Sequence, residues 1–241
     1  GFYAPGPDYD LVKGLELSPQ TQRFHLGFMG CFAAFPALKM AQSFCENNDQ
    51  AVVLIVTVEL CSLHFQQKLT VDNLIAASVF ADGAAGAIVT QKPSPKTSFS
   101  IDGFASSLTP EGEKDMAWDI GNHGFDMILS TYVPDIIEAN LHEVIQPLFE
   151  LYNLTHKDID FWALHPGGRA IIDKIEKSLR LEAQQVAASR KTLANYGNMS
   201  SSTVLFVLKE LLLQKPKKDA KILPMAFGPG LTIESGLLTV H

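Results

Sequence analysis

Three side chains able together to carry out acyl transfer stand far apart along the chain: the thiol of Cys31, the imidazole of His165 and the carboxamide of Asn198. Each also has a plain structural reading. A cysteine inside FHLGFMGCFAAFPALKM is commonly a small buried hydrophobe, and an asparagine inside NYGNMSSST serves as an N-cap or Asx-turn. A thiol becomes a nucleophile only as the thiolate, which a helix N-terminus favours through its unpaired N–H groups and partial positive charge. His165 closes the apolar run FWAL and is followed at once by Pro166, Gly167 and Gly168, which let a ligand or another segment approach the backbone closely. All three residues fall between a strand-like and a helix-like run, the edge at which open α/β folds gather their ligands.

The elements that must position them alternate. The sequence predicts a short helical piece in DYDLVKGLEL, a strand in FHLGFMG, and a helix from Cys31 to Asn47 that is apolar on every face and therefore expected inside the protein. Pro36 is tolerated there because it lies in the first turns. The β-branched run 51–60 reads as a strand covered on both faces, ending in the polar Glu59. Residues 71–80 read as a helix, and AAGAIVT as a strand after the turn ADG. QKPSPKTS, 91–98, is the best linker candidate. Beyond it come a strand (SFSIDGFAS), a polar loop, a long helix from Pro134 to Tyr152, the strand FWALH, the helices RAIIDKIEKSLRL and SSTVLFVLKELLLQK, and a closing strand pair in AKILPMAF and LTIESGLLTV. This pattern predicts an α/β protein with largely buried sheets. Phe80-Ala81-Asp82-Gly83 and Phe227-Gly228-Pro229-Gly230 each precede a strand, 147 residues apart, a faint sign of two related halves.

Bulk properties exclude several classes. The 241 residues are 46% hydrophobic, enough for a large buried core and too many for a disordered chain. A net charge of −7 with scattered Lys and Arg gives no footprint for nucleic acid, and KPKKDAK reads as a solvated helix end. Cys31, Cys45 and Cys61 form no CxxC pair and are odd in number, so neither a disulfide framework nor a metal site is indicated, and a reducing cytoplasm is the expected setting. No run approaches the length of a membrane span, and the opening GFYAPGPDYD lacks the features of a signal peptide.

GCFAAFPALKMA, FADGAAGAIV, FWALHPGGRAI, YGNMSSSTVLFVL and FGPGLTIES, in that order, closely resemble the chalcone and stilbene synthase family, the type III polyketide synthases. The resemblance runs from Gly1 to the C-terminus. It implies a thiolase fold, layered α-β-α-β-α from two duplicated halves: residues 1–92 as the N-terminal half with the nucleophilic cysteine, 93–98 as linker, and 99–241 as the half with histidine and asparagine. On that resemblance Cys31 matches the acyl-carrying nucleophile, His165 the histidine that helps generate its thiolate, and Asn198 the amide working with it. Phe80 matches the aromatic gatekeeper that orients malonyl thioester, Phe125 in NHGFDM the second phenylalanine of the site, and Ala170 a position where backbone meets the coenzyme A arm. Cys61 and His64, in VELCSLHF, and Ser200 are the remaining candidate substrate-binding residues. The implied partners are malonyl-CoA, an acyl-CoA starter that in the microbial branch is often fatty acyl, and a second copy of the chain. Coenzyme A comes as the substrates' carrier, so no cofactor is implied.

The sequence also departs from the family. Members begin well upstream of GFYAPGPD with elements that supply strands to the first half, which leaves the first half here incomplete; either the chain is a fragment or the missing piece is a separate chain. Ala4 stands where plant members place a methionine reaching the neighbouring subunit, and Cys61 and His64 where they place small hydroxyl residues. Two other readings remain open: an initiating-type ketoacyl synthase that performs one condensation, and an inactive thiolase-fold binding partner.

Overall fold

The computed structural model describes residues 4–65, 70–122 and 124–241, so the GFY of the turn-rich opening lies outside it. Helix α1 (Pro7–Gly14) buries none of its side chains. The strand expected in FHLGFMG is not formed: residues 22–29 run as an irregular segment with Phe24 and Phe28 half exposed, because no strand of the described residues lies alongside to give their backbone a ladder. Gly30 turns the segment at φ +75°, and Gly30–Phe32 make a single 3-10 turn ahead of α2 (Ala34–Asn47). Cys31 therefore sits in that turn rather than in the helix itself. The expectation of burial on every side of α2 is also corrected. Ala34, Phe35, Leu38, Ala41 and Cys45 are buried, but Phe44 points to an open side.

β1 (Val52–Glu59) leads through a 3-10 turn, Cys61–His64, to α3 (Val71–Val79), whose N-cap Thr70 accepts a hydrogen bond from the backbone N–H of Asn73 at 3.2 Å. β2 (Gly83–Thr90) then pairs antiparallel with β1, from Val52↔Thr90 to Glu59↔Gly83. Here the expected strand buried on both faces becomes a strand buried on one. Ile55 and Thr57 are buried, whereas Val52, Leu54, Val56 and Val58 alternate with them on an open face. No element of the described residues covers that face.

Residues 91–98 hold neither helix nor strand. After them, β3 (Phe99–Leu108) is followed by an antiparallel ribbon, β4 (Met116–Gly121) with β5 (Gly124–Leu129), in the stretch read from sequence as a polar loop. α4 (Val133–Tyr152) buries Val133, Ile137, Leu141, Val144, Ile145 and Leu148, a stripe at helical spacing, and ends where Asn153 adopts the left-handed conformation. β6 (Phe161–Leu164), α5 (Arg169–Leu179), α6 (Ala187–Tyr196), α7 (Ser202–Leu213), β7 (Lys221–Gly228) and β8 (Thr232–Val240) complete the chain. α6, in VAASRKTLAN, is an element the sequence reading passed over. β3, β8, β7 and β6 form one sheet in that order, with β6 and β7 parallel and the other neighbours antiparallel.

The layers explain where the core sits. α2 and α7 lie between the two sheets, α7 touching β1 and β2 on one side and β6 and β7 on the other. α4 and α5 close the far face of the four-stranded sheet, packing Ile137, Leu141, Ile172 and Ile175 with Trp162, Leu223 and Met225 in one cluster. β7 and β8 are buried almost throughout, as the apolar run of β7 requires for a strand covered on both faces, and β8 buries the polar Glu234, Ser235 and Thr239 along with its apolar residues.

Candidate active site

Cys31, His165 and Asn198 come from a 3-10 turn, a strand end and a loop, and all three line one cavity of about 820 Å3. Gly30 is needed for the first of these. Its positive φ favours glycine, and a Cβ there would stand 2.5 Å from Cδ of Pro229, so the loop between β7 and β8 can press against the cysteine turn. His165 is fixed by its backbone N–H donating to the carbonyl of Met225 at 2.7 Å, continuing the β6–β7 pairing one residue past the strand. Asn198 is fixed against Phe80 by an isolated parallel bridge. Its N–H donates to Val79 O at 2.8 Å, and Ala81 N–H donates to its carbonyl at 2.9 Å. Gly197 permits this approach, with φ +72° and a would-be Cβ 2.9 Å from Val79 O.

The side chains are held as closely. Oδ1 of Asn198 accepts from the N–H of Ser200 at 2.9 Å, while Nδ2 donates to Gly167 O at 3.3 Å. Burial pushes the Cys31 thiol up to about 11; the Ser200 and Asn198 side chains hydrogen-bond it and pull the other way, and the Glu59 carboxylate adds to the rise. His165 is 1% exposed, and neither ring nitrogen has a hydrogen-bond partner among the described residues. Burial pushes its pKa down to about 3. Burial thus favours the neutral form of both thiol and imidazole, and no hydrogen bond joins them among the described residues.

Phe80, Cys61, His64 and Ser200 also line the cavity. Cys61 is pushed up to about 12 by burial, then by the Glu59 carboxylate and by Cys31 and Asp82. The His64 ring is lowered by burial, with Glu59 opposing. Two expected residues stand elsewhere. Ala170 is exposed in the first turn of α5 and does not reach the wall. Phe125 is not among the lining residues but stacks on one of them, Trp118, with ring centroids 5.0 Å apart, and Met127, two residues on along β5, lines the cavity.

Sequence reasoning missed much of the wall, Glu59, Phe28 and Trp118 included. Glu59, read only as a strand end, accepts hydrogen bonds from both the hydroxyl and the N–H of Ser201. Phe28 and Trp118 stack with centroids 3.9 Å apart, joining the segment before Cys31 to the β4–β5 ribbon. The available signal was the alternation in MAWDIG and GFDMIL around glycines. Among the described residues no group of His, Cys, Asp and Glu side chains is arranged to hold a metal ion, and no helix is long and apolar enough to cross a membrane.

Comparison with known proteins agrees over nearly the whole chain. Residues 1–93 match the family described as chalcone and stilbene synthases, N-terminal domain, and residues 101–240 match its C-terminal domain. The chain belongs to the chalcone and stilbene synthase family. Solved structures with the same fold include PKS-I from the brown alga Ectocarpus siliculosus, at 31% identity and TM-score 0.91, covering 99% of this chain and 66% of that one. The C-terminal type III polyketide synthase domain of Steely1, a type I/III hybrid from Dictyostelium, is 29% identical at TM-score 0.91, covering 99% and 68%. A bacterial type III polyketide synthase, 1,3,6,8-tetrahydroxynaphthalene synthase from Streptomyces coelicolor A3(2), is 30% identical at TM-score 0.91, again covering 99% and 68%. As a chalcone and stilbene synthase family member the chain has the thiolase fold of these enzymes, and it spans about two thirds of their length.

Proposed function

We propose that this family member is an acyltransferase of the type III polyketide synthase kind, condensing malonyl-CoA onto an acyl-CoA starter carried on Cys31. The reading rests on one observation: a thiol, an imidazole and a carboxamide from distant parts of the chain share the wall of a mostly apolar cavity with Phe80. In the loading step His165 takes the thiol proton, the thiolate attacks the acyl carbonyl, the bond to coenzyme A breaks, and the proton leaves with the coenzyme A thiol. Malonyl-CoA then loses CO2, the electron pair of the broken C–C bond passing into an enolate. The N–H of neutral His165 and the Asn198 amide are the donors for its oxygen, and losing one such donor costs on the order of 10²–10³ in rate. The enolate carbon attacks the Cys31 thioester, a C–C bond forms, and the sulfur leaves as thiolate, ready for another round. Ring closure to a pyrone, resorcinol or related aromatic product follows chain growth.

Phe80 and the apolar wall favour departure of neutral CO2 over retention of a carboxylate. Cys61, His64 and Ser200 bound the growing chain. The matched segments end at residue 93 and resume at 101, which supports two thiolase-like halves, 1–92 and 99–241, joined through 93–98. Three free cysteines support a reducing, cytoplasmic setting, and the exposed apolar side chains of the first half support pairing of two copies. The test is product analysis by mass spectrometry with malonyl-CoA and a panel of acyl-CoA starters. Triketide and tetraketide products lost on Cys31→Ala support the proposal, a single β-ketoacyl product would replace it with a one-step ketosynthase, and turnover unaffected by Cys31→Ala would overturn it.

A further inference from the structure

We propose that His64 is the general base of ring closure, taking the proton of the enol oxygen that attacks the Cys31 thioester when a finished chain leaves as a pyrone. The proposal rests on the polyketide-forming role given to this cavity above. His64 ends the 3-10 turn Cys61–His64 that follows β1, and its half-buried ring stands in the same wall as Cys31 and Phe80. The ring of Trp118 meets it at 71° with centroids 4.5 Å apart and that of Phe125 at 76° and 5.8 Å, so aromatic neighbours fix its plane. The loading and condensation steps leave this imidazole unused, since His165 takes the thiol proton and donates to the enolate.

The other groups of the wall suit the task less well. Burial pushes the Cys61 thiol up to about 12, which keeps it protonated. Asp82 is engaged by the N–H and the hydroxyl of Ser62, both at 2.7 Å, which hold its carboxyl below the usual range and make it a weaker base. In His64 burial favours the neutral imidazole, the form that can take a proton. Glu59, held by the hydroxyl and the N–H of Ser201, acts electrostatically on His64 and on Cys31 alike. Its carboxylate is therefore within reach to steady the imidazolium that forms. In the step itself the enol O–H bond breaks and its proton passes to a ring nitrogen of His64. The freed oxygen forms a C–O bond to the thioester carbonyl, the C–S bond breaks, and the Cys31 thiolate recovers the proton from the imidazolium.

The N-acetylcysteamine thioester of triacetic acid isolates this step, because it already carries both the enol and the thioester. Mixed with a Cys31→Ala protein, which cannot load it, the probe closes to its pyrone in the cavity and releases N-acetylcysteamine, followed by ultraviolet absorbance. The Cys31→Ala protein speeds closure over buffer, and adding His64→Gln lowers that rate about tenfold or more. Added imidazole restores part of the rate to the Cys31→Ala, His64→Ala protein, whereas pyrazole, of the same shape but a far weaker base, does not. Should the His64→Ala protein fail to fold, His64→Gln carries the test. A folded His64→Gln protein as fast as its parent, a parent no faster than buffer, or equal rescue by pyrazole overturns the proposal alone. Failure of the wild-type protein to extend any acyl-CoA starter with malonyl-CoA overturns instead the reading on which it rests.

Discussion

Burial acts on Cys31 and His165 from opposite ends of the pH scale. The imidazole's pKa falls from 6.5 to about 3 on folding. The unfolded chain therefore takes up a proton that the folded one refuses, and stability present above pH 6.5 is lost as the pH falls toward 3. The slope approaches about 1.4 kcal/mol per pH unit. The thiol's pKa rises from 9.0 to about 11, so its contribution is present below pH 9 and is lost as the pH rises toward 11. Urea unfolding between pH 4.5 and 7 should show His165→Gln with a visibly flatter acid limb than the wild type; identical slopes would contradict the burial of a neutral imidazole. At Gly30, substitution by alanine should cost about 1–3 kcal/mol and sharply slow labelling of Cys31 by acyl-CoA, since the new Cβ meets Pro229 at 2.5 Å and the turn must shift. Equal stability and labelling would show that the turn has slack. At this scale the sequence was informative wherever a motif bundled chemistry with backbone demands: HPGG places a histidine beside glycines, and GNMSS an asparagine after one. It was uninformative for Trp118, whose importance comes from Phe28, His64 and Phe125 arriving from three other segments.

Elements were legible where burial is complete. The apolar run of β7 and the stripe of α4 are buried as their patterns require. VVLIVTV carries the same signature in β1 and yet has one open face, because hydrophobicity records what a strand can bury against and not whether the partner layer is there. The β4–β5 ribbon was hidden for another reason: its short alternating runs carry Asp119 and Asp126 and look like loop. One tie between elements invites a direct test. Lys39 of α2 reaches Glu234 of β8 at 2.6 Å, and Ser106 of β3 donates to the same carboxylate at 2.8 Å. Lys39→Met leaves a carboxylate that is 7% exposed without its cation, and thermal or urea unfolding should show a loss of about 3 kcal/mol. Adding Glu234→Gln should restore more than half of it, since a neutral amide still accepts from Ser106. A loss below about 0.5 kcal/mol would place the pair among surface ion pairs of little worth.

Across the whole molecule, the second half owns a closed core and the first half does not. Val52, Leu54, Val56, Val58 and Ile88 stand together on the open face of the β1–β2 sheet, an apolar patch of the kind that draws molecules into association. The 241-residue chain expressed alone should therefore bind hydrophobic dyes and scatter light at concentrations where a Leu54→Lys, Ile88→Lys double variant does not. Its melting temperature should change little, since neither side chain contributes to the core. Equal scattering by both proteins would mean that association uses another surface.

The account stands or falls on whether Cys31 accepts an acyl group inside the shared cavity. Intact-mass spectrometry after incubation with an acyl-CoA, followed by peptide mapping, measures this without needing a finished product. The account predicts a single added acyl mass on the peptide bearing Cys31, absent in Cys31→Ala and slowed at least tenfold in His165→Gln. An adduct on Cys61 or Cys45 instead, or labelling of Cys31 indifferent to the loss of His165, would contradict it.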